Sequence, residues 1–513
     1  MSGLGLGADE AEQRDRGKQM KTHTTLWVVV AAGILLTSGA MQAQQTNLLE
    51  TIRQLQERIE LLERKVQSLE SGPGAAATNQ NLQRPAANEP ARAERAGAGL
   101  ERPDGPPTEK ARMAPSLSLG DSGVVIASAN SNFLMNLHGY MQVDGRFYPG
   151  DTPAGDTFLL RRVRPILEGT VYDRFDYRMM PDFSSGRINT SSAGENATID
   201  DAYVNARLVP QFQVQAGKFK SPVGLERMES VAEALFIEAG LPTQMTPNYD
   251  VGVEAHNALF NTPVNYAIGI FNGAIDGGSD DMDVNDQGKD VVGRLFFQPF
   301  LNGGPESLGK LGFGVAGSVG RHEGPLPSYK TPGQQTFFSY ASGVSAAGEQ
   351  YRIDPQFYYY RGPFGVFGEY IVSSPEVRSS APGAESVRFN HSAWQIDGTW
   401  FVTGDENSFR TTSRHLFHPA HPFKFGGEGW GALELVARVG QMTLDRGAFP
   451  AYVTSTSARQ ATTYGVGLNW YLNSNFRLYL DYNLTSFVGG SQAKGSVTAN
   501  DEHAILSRVQ ISF

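Results

Sequence analysis

Apolar and polar residues alternate along the chain from Phe133 onward, which is the pattern of β-strands with two different faces. In the first such segment, Phe133 and Met135 fall on one face, whereas Asn136 and His138 fall on the other. A strand of this kind suits a wall between lipid and water, because neighbouring strands can pair every backbone polar group in the hydrocarbon. The pattern therefore predicts a transmembrane β-barrel.

The same alternation recurs often enough to predict about 16 strands. Their starts are expected near Phe133, Leu159, Arg174, Ile199, Phe212, Asp250, Val264, Val291, Gly309, Arg352, Phe364, Ser392, Trp430, Thr463, Phe476 and Ala504. Segments of about 10 residues are long enough for a tilted strand to cross a bilayer. The expected fold is thus all-β, with an antiparallel barrel over residues 121–513. The stretch 403–429 is long where a short turn is expected, which leaves the count open by two strands.

The first part of the chain has the order of a secretory signal peptide. Lys18 and Lys21 precede the apolar run 26–36, and small residues follow up to Ala40 and Ala43. The apolar run is shorter than the roughly 20 residues that a spanning helix needs. We assign residues 1–43 to a cleaved leader. Because the first residues are acidic rather than basic, Met20 is an alternative start.

A helical repeat follows the leader. Between residues 48 and 69, apolar residues recur at spacings of four and three, with charged and amide side chains between them. Such a seam buries its apolar stripe against another helix, so residues 44–70 are predicted to form a periplasmic coiled coil. Its β-branched residues alternate with leucine, which favours two strands. Residues 71–120 are rich in Pro, Gly, Ala and Asn and are expected to be a disordered linker.

Composition narrows the possible functions. The chain has no cysteine, which excludes thiolate metal sites, cysteine nucleophiles and disulfides. Its formal net charge of −10 argues against nucleic acid as a partner. With 58 glycines and 48 residues that are Tyr or Phe, the composition suits many short aromatic strands joined by turns.

Neither a catalytic centre nor a metal site is predicted. The chain has no nucleophile elbow, phosphate-binding loop or His-Glu-x-x-His motif. His415, His418 and His421 are three residues apart, but Pro419 and Pro422 exclude the regular helix that would align them. The acidic run 276–290 lacks the twelve-residue calcium-loop pattern. We therefore expect no enzyme, no metal and no cofactor.

The last segment supports an outer-membrane location. Ile505, Val509 and Ile511 share one face, and the sequence ends in Phe513. A terminal aromatic residue after an amphipathic strand resembles the sorting signal that the outer-membrane assembly machinery reads. Together with the leader, it predicts a protein of the bacterial outer membrane whose partners include lipid, lipopolysaccharide and that machinery.

Several stretches resemble the phosphate-selective porin O and P family. They are FLLRRVRPILEG (158–169), DAY (201–203), GKFKSPVGLE (217–226) and GALELVAR (431–438). The resemblance covers roughly residues 133–513, and the heptad segment is also similar to the amino-terminal part of many members. It implies a 16-stranded, trimeric barrel, in conflict with the two-stranded preference of the coiled coil.

The resemblance also implies a constriction that binds anions. In family members that select phosphate, paired arginines, lysines and an aspartate line the channel. The matching residues here, with the neighbouring Arg164 added, are Arg161, Arg162, Arg164, Asp201, Lys218 and Lys220. Guanidinium groups can form two hydrogen bonds to a phosphate, and a nearby carboxylate can keep binding weak enough for release.

Strand parity agrees with only part of this assignment. Arg162 and Arg164 share the lumen face, whereas Arg161 does not, unless the strand is bulged or already above the bilayer. Lys218 and Lys220 have lipid parity and must lie beyond the membrane rim to serve the channel.

The third long loop, 221–249, carries four glutamates and only one arginine, so its charge would oppose an anion-attracting field. We expect a passive diffusion porin for small hydrophilic solutes, favouring anions such as phosphate or polyphosphate. A non-selective porin and a structural envelope tether that acts through its coiled coil are the alternatives.

Overall fold

The computed structural model describes residues 115–184, 197–209, 211–259, 262–281, 288–301, 303–409, 416–491 and 496–513. The predicted leader 1–43, the alternative start Met20, the coiled coil 44–70 and nearly all of the linker 71–120 lie outside the described residues. Over the described ranges, no helix is long and apolar enough to cross a membrane.

The described residues form 21 strands, two of them in a small separate sheet. Their bounds are β1 (Ser116–Gly120), β2 (Gly123–Ala127), β3 (Phe133–Phe147), β4 (Thr157–Val171), β5 (Phe175–Asp182), β6 (Thr198–Val209), β7 (Phe212–Lys220), β8 (Tyr249–Ala258), β9 (Val264–Phe271), β10 (Asp290–Phe297), β11 (Leu311–Gly324), β12 (Ser328–Lys330), β13 (Thr336–Ser339), β14 (Val344–Arg361), β15 (Phe364–Ser379), β16 (Val387–Arg388), β17 (His391–Phe401), β18 (Ala432–Thr443), β19 (Gln460–Tyr471), β20 (Phe476–Val488) and β21 (Glu502–Ser512). The helix α1 (Leu225–Met228) and 3₁₀ turns at Leu241–Met245, Glu306–Leu308, Arg446–Ala448 and Val497–Ala499 lie in the connections.

Sixteen of the described strands form a closed antiparallel barrel, which confirms the predicted barrel of about 16 strands. The barrel consists of β3–β11, β14, β15 and β17–β21, and it closes where β21 pairs with β3. The predicted strand starts agree with these bounds to within a few residues, apart from Arg352, which lies well inside β14. Where the described residues cover the long connection 402–431 they add no strand, so the count stays at 16.

The hairpin β1–β2 extends the sheet at the end of the barrel that carries the short turns. β2 pairs with residues 134–137 of β3, next to the place where Phe513 ends its pairing with Gly139. Asn475, in the turn before β20, donates its side-chain amide to the backbone carbonyl of Asp121 in the hairpin turn. The hairpin thus pairs with the part of β3 that lies beyond the end of β21. Regular structure begins at Ser116, before the predicted boundary at residue 121.

The two faces of the wall differ as the alternation requires. Outward side chains such as Ile268 and Val466 are more than half exposed and apolar. Inward side chains such as Asp144, Gln142 and Arg508 are buried and polar. Because lipid solvates the outward groups, the energetic problem of this fold is the pairing of its inward charges.

Several long connections fold into the barrel and bury an apolar interior. The L3 loop, which we define as residues 221–248 between β7 and β8, places Leu225 and Phe236 against Phe367 of β15 and Val436 of β18. The hairpin β12–β13 buries Tyr329 together with Phe337 and Phe338. Phe409, in the connection 402–431, packs against Phe367 with ring centroids 6.1 Å apart. Side chains from three connections thus pack against the inner face of the wall.

The ion pair at the place where β21 closes on β3 leads to a first testable prediction. Arg508 of β21 lies opposite Asp144 of β3, and its Nε and Nη2 donate to the two carboxylate oxygens at 2.7 and 2.8 Å. Asp144→Ala would leave a fully buried guanidinium without this carboxylate, at a cost of about 3–5 kcal/mol. We expect the folded band on semi-native gels to convert to the unfolded band at a clearly lower temperature. Asp151→Ala, which removes an exposed loop carboxylate, is the control, and equal melting of the two variants would contradict the prediction.

Candidate functional site

A cavity of about 980 Å³ lies between the L3 loop, the upper parts of β3 and β4, and the loops that precede β10 and β14. We call it the basic cavity. Among the described residues, its cationic lining consists of Arg146, Arg161, Arg162, Arg164, Lys220, Arg227 and Lys330. Its carboxylates are Asp182, Glu226, Glu229, Glu238 and Asp276. Four of the six residues proposed from the sequence are therefore brought together here, and Lys218 and Asp201 are not.

A β-bulge turns Arg161 and Arg162 towards the lumen together. In the β3–β4 register, Gln142 pairs with Arg162 and Val143 with Leu160, so Arg161 is the extra residue. A bulge lets two successive side chains project to one side, which alternation otherwise forbids. Such a bulge was one of the two ways in which strand parity allowed Arg161 to reach the lumen, and the structure contains it.

A second bulge supports Arg164. In the β5–β6 register, Met180 pairs with Asp201 and Pro181 with Ile199, which makes Asp200 the extra residue. The Arg164 guanidinium then lies 2.5 Å from Asp200 and 2.9 Å from Asp182. Arg164 is therefore paired within the wall and is less available to a solute than its neighbour Arg162.

Asp201 lies outside the basic cavity and has a structural contact. It accepts a hydrogen bond from Arg178 Nε at 3.0 Å, and Arg178 also donates to Glu168 at 2.6 Å. This ion pair joins the neighbouring strands β5 and β6. The role of Asp201 as the carboxylate of an anion site remains a prediction.

The two lysines of β7 have different surroundings. Lys220, the last residue of the strand, donates from Nζ to the Glu229 carbonyl at 2.6 Å and lines the basic cavity. Lys218 instead forms an ion pair with Asp281 in the loop after β9. Gly217 precedes Lys218 with φ near +132°, a conformation that favours glycine and interrupts the regular alternation predicted for this strand.

Arg162 is the arginine of the cavity that the wall leaves without a counter-ion. Its Nη1 donates to Gln142 Oε1 at 2.8 Å, and its buried Nε has no hydrogen-bond partner. Within the described part of the chain it makes no ion pair, although the side chain is only 8% exposed. A buried guanidinium in this condition gains most from an incoming anion.

Two further cations of the cavity come from loops and were not singled out as site residues. Arg227 of L3 donates to Thr246 Oγ1 at 3.1 Å and to the Thr243 carbonyl, and burial lowers the pKa of its guanidinium. Burial and, secondly, the charge of Arg146 lower the pKa of Lys330, at the end of β12. The one available signal was that Arg227 is the lone arginine in an acidic loop, but its position depends on how L3 folds.

Two of the four glutamates of L3, Glu226 and Glu238, form ion pairs with arginines, which reduces the opposition of this acidic loop to anions. Glu238 pairs with Arg161 at 2.6 Å and with Arg146 at 2.8 Å, while Glu226 pairs with Arg438 of β18. Burial alone would raise the pKa of Glu238, but the attraction of Arg161 and Arg146 outweighs burial and holds its pKa well below the usual range. Glu238 therefore stays ionised throughout the usual working range of pH.

A closed 16-stranded barrel whose lumen holds an inward-folded loop and a basic cavity defines an outer-membrane porin. A family model described as phosphate-selective porin O and P matches residues 135–513. The chain belongs to this family, and its location in the bacterial outer membrane follows. Family and fold are those of a channel rather than an enzyme.

Solved structures with a similar fold include several outer-membrane proteins. The channel DcaP of Acinetobacter baumannii is 12% identical, with a TM-score of 0.48 and coverage of 75% of this chain and 98% of that one. OmpT of Vibrio cholerae in its trimer form is 10% identical, with a TM-score of 0.45 and coverage of 74% and 99%. An anion-selective porin from Comamonas acidovorans is 11% identical, with a TM-score of 0.44 and coverage of 74% and 100%. A search among curated proteins finds no significant match.

The anchoring of L3 makes a second prediction. Besides its pair with Arg438, the Glu226 carboxylate accepts from the Gly240 backbone at 2.9 Å and from Gln395 at 2.8 Å. Glu226→Gln keeps the shape but leaves Arg438 with one buried counter-ion fewer, a loss of order 2–5 kcal/mol to loop docking. We expect faster amide exchange over residues 225–245 and a noisier single-channel current. The exposed Glu385→Gln is the control, and unchanged exchange in Glu226→Gln would refute the anchoring role.

Proposed function

We propose that this porin passes small anions by diffusion, with phosphate or a similar oxyanion as the favoured solute. The observation that carries the proposal is the Arg162 guanidinium, buried at the basic cavity without a carboxylate partner among the described residues. We propose Arg162, Lys220 and Arg227 as the groups that contact the anion directly. Arg161 and Arg164, on the same strand as Arg162, add positive electrostatic potential to the cavity.

The electrostatics of the cavity support an anion over a cation. The described lining has seven cationic and five carboxylate side chains, and two of the L3 carboxylates, Glu226 and Glu238, are held in ion pairs with arginines. Field lines focus in a cleft with low-dielectric walls, so a small excess of one sign raises the local concentration of the opposite ion. Tetrahedral oxyanions suit the site because a guanidinium donates two parallel hydrogen bonds to them.

Passage also requires weak binding. Lys220 already donates to a backbone carbonyl, and Arg227 to Thr243 and Thr246, so only their remaining N–H donors are open to an anion. The neighbouring carboxylates of Asp182 and Glu238 lower the net attraction further. A site with several modest contacts lets the solute leave, as conduction demands.

A non-selective porin is the second candidate, and the rest of the lumen wall favours it. Away from the basic cavity, several wall arginines are matched by carboxylates, as in Arg438 with Asp397, or Arg508 with Asp144. If the basic cavity lies beside the path of solutes rather than on it, this balanced wall sets the selectivity. We further propose a trimer, as the family resemblance implies; the molar mass in detergent from light scattering would distinguish it from a dimer.

Reversal potentials of the refolded protein in planar bilayers under a chloride gradient test the proposal, followed by titration with phosphate. We expect anion preference and block of the chloride current by phosphate. Arg162→Ala should weaken the block by about tenfold, since loss of one charged hydrogen-bonding group is worth roughly 1.5–3 kcal/mol. Lys220→Ala should weaken it less, because Lys220 is also bonded to the Glu229 carbonyl.

Matched controls are Arg321→Ala and Lys424→Ala, which remove exposed cations that do not line the cavity. If all four variants retain the wild-type reversal potential and phosphate block, the basic cavity does not determine selectivity. Conductance without anion preference in the wild type would leave the non-selective porin. No conductance at all would point to the tether function.

A further inference from the structure

We propose that Glu238 is a tethered competitor for the permeating anion. Its carboxylate occupies the hydrogen-bonding positions of Arg161 and Arg146 in the resting channel, and a passing oxyanion gains them only by exchange with it. Glu238 thereby sets how tightly the porin holds its solute. The inference rests on the proposed anion channel and adds the residue that tunes its affinity.

The contacts of Glu238 are those that an oxyanion would make. Arg161 Nε donates to Oε1 at 2.6 Å and Arg161 Nη2 to Oε2 at 3.1 Å, while Arg146 Nη2 donates to Oε1 at 2.8 Å. This fork of two parallel bonds is the geometry in which arginine binds carboxylate and phosphate alike. Three donors that point into the basic cavity are therefore held by a group of the protein itself.

The Glu238 side chain can leave without moving the loop that carries it. The backbone on both sides is pinned independently, because Ile237 N donates to Asp481 at 2.6 Å and Gly240 N donates to Glu226 at 2.9 Å. The Glu238 carbonyl itself accepts from Arg438 at 3.0 Å. A rotation of the Glu238 side chain thus breaks only its two arginine contacts.

Glu226 shows the contrasting, structural arrangement. Its carboxylate accepts from the Gly240 backbone and from Gln395, so it connects L3 to itself and to the wall. For Glu238, in contrast, every hydrogen bond of the carboxylate within the described residues comes from an arginine of the cavity lining. Glu226 therefore anchors the L3 loop, whereas Glu238 occupies hydrogen-bond donors of the cavity.

Arg162 provides the place from which exchange begins. It is adjacent in sequence to Arg161, lines the same cavity and has no counter-ion among the described residues. An oxyanion that binds Arg162 places its negative charge beside the Glu238 carboxylate. The two negative charges repel each other, and this repulsion weakens the hydrogen bonds between Glu238 and Arg161. The anion can then take over the donors of Arg161, and the carboxylate returns when the anion leaves.

The test is phosphate block of the chloride current in bilayers, with the full chain as refolded. Glu238→Gln removes the charge of the competitor, and we expect block at phosphate concentrations at least about tenfold lower, with a smaller phosphate current at saturation. Glu238→Asp keeps the charge on a shorter side chain and should lie between the wild type and Glu238→Gln. Semi-native gels establish that each variant is folded.

A double-mutant cycle separates exchange from a general loss of negative charge. In the wild type, Arg161→Ala should change the phosphate affinity little, because Arg161 is occupied by Glu238. In the Glu238→Gln background, the same Arg161→Ala change should weaken the affinity several-fold, so the two effects are not additive. Additive effects, or weaker block in Glu238→Gln, would overturn the inference.

Failure of the inference differs visibly from failure of the proposed function. If the wild type shows anion preference and Arg162→Ala weakens the block, but Glu238→Gln leaves the block unchanged, the channel proposal stands and the competitor role is wrong. If the wild type shows neither anion preference nor phosphate block, both are wrong. If Glu238→Gln does not fold, unchanged phosphate affinity in Glu238→Asp overturns the inference.

Discussion

Every backbone N–H and C=O in the hydrocarbon must find a partner within the protein, and the rest of this structure depends on that constraint. It makes the sheet close, which brings β21 against β3 and places Arg508 opposite Asp144. Closure gives every strand a lipid face and a lumen face, and the lumen face collects polar and charged side chains. Once these charges are confined inside a wall, each needs a counter-ion, a hydrogen-bond partner or water.

Carboxylates of neighbouring strands meet part of that demand, and inward-folded loops meet another part. The L3 loop brings Glu226 to Arg438 and Glu238 to Arg146 and Arg161, so an acidic loop neutralises a basic wall. This pairing holds the loop in the lumen and also determines which cations remain. The proposed anion selectivity therefore depends on the positive charges that the docking of L3 does not neutralise.

Irregularities in the strands decide where that remainder lies. Without the bulge at Arg161, this guanidinium would point to lipid and Glu238 would lose its nearest partner. The bulge at Asp200 likewise commits Arg164 to the wall through a close ion pair. With these two bulges, Arg164 is paired within the wall and Arg161 is paired with Glu238 of L3. Arg162 has no counter-ion among the described residues.

The sequence by itself determined the barrel, its approximate number of strands and the face on which Arg162 and Arg164 lie. These features follow from alternation, which each strand carries locally in the order of its residues. Only the tertiary structure decided that Arg161 also faces inward, because a bulge is defined by the register of two strands rather than by one. The partners of Glu238, and the arrival of Arg227 and Lys330 at the cavity, depend on where loops dock across the barrel. No local pattern encodes such a contact, since its two sides are far apart in the chain.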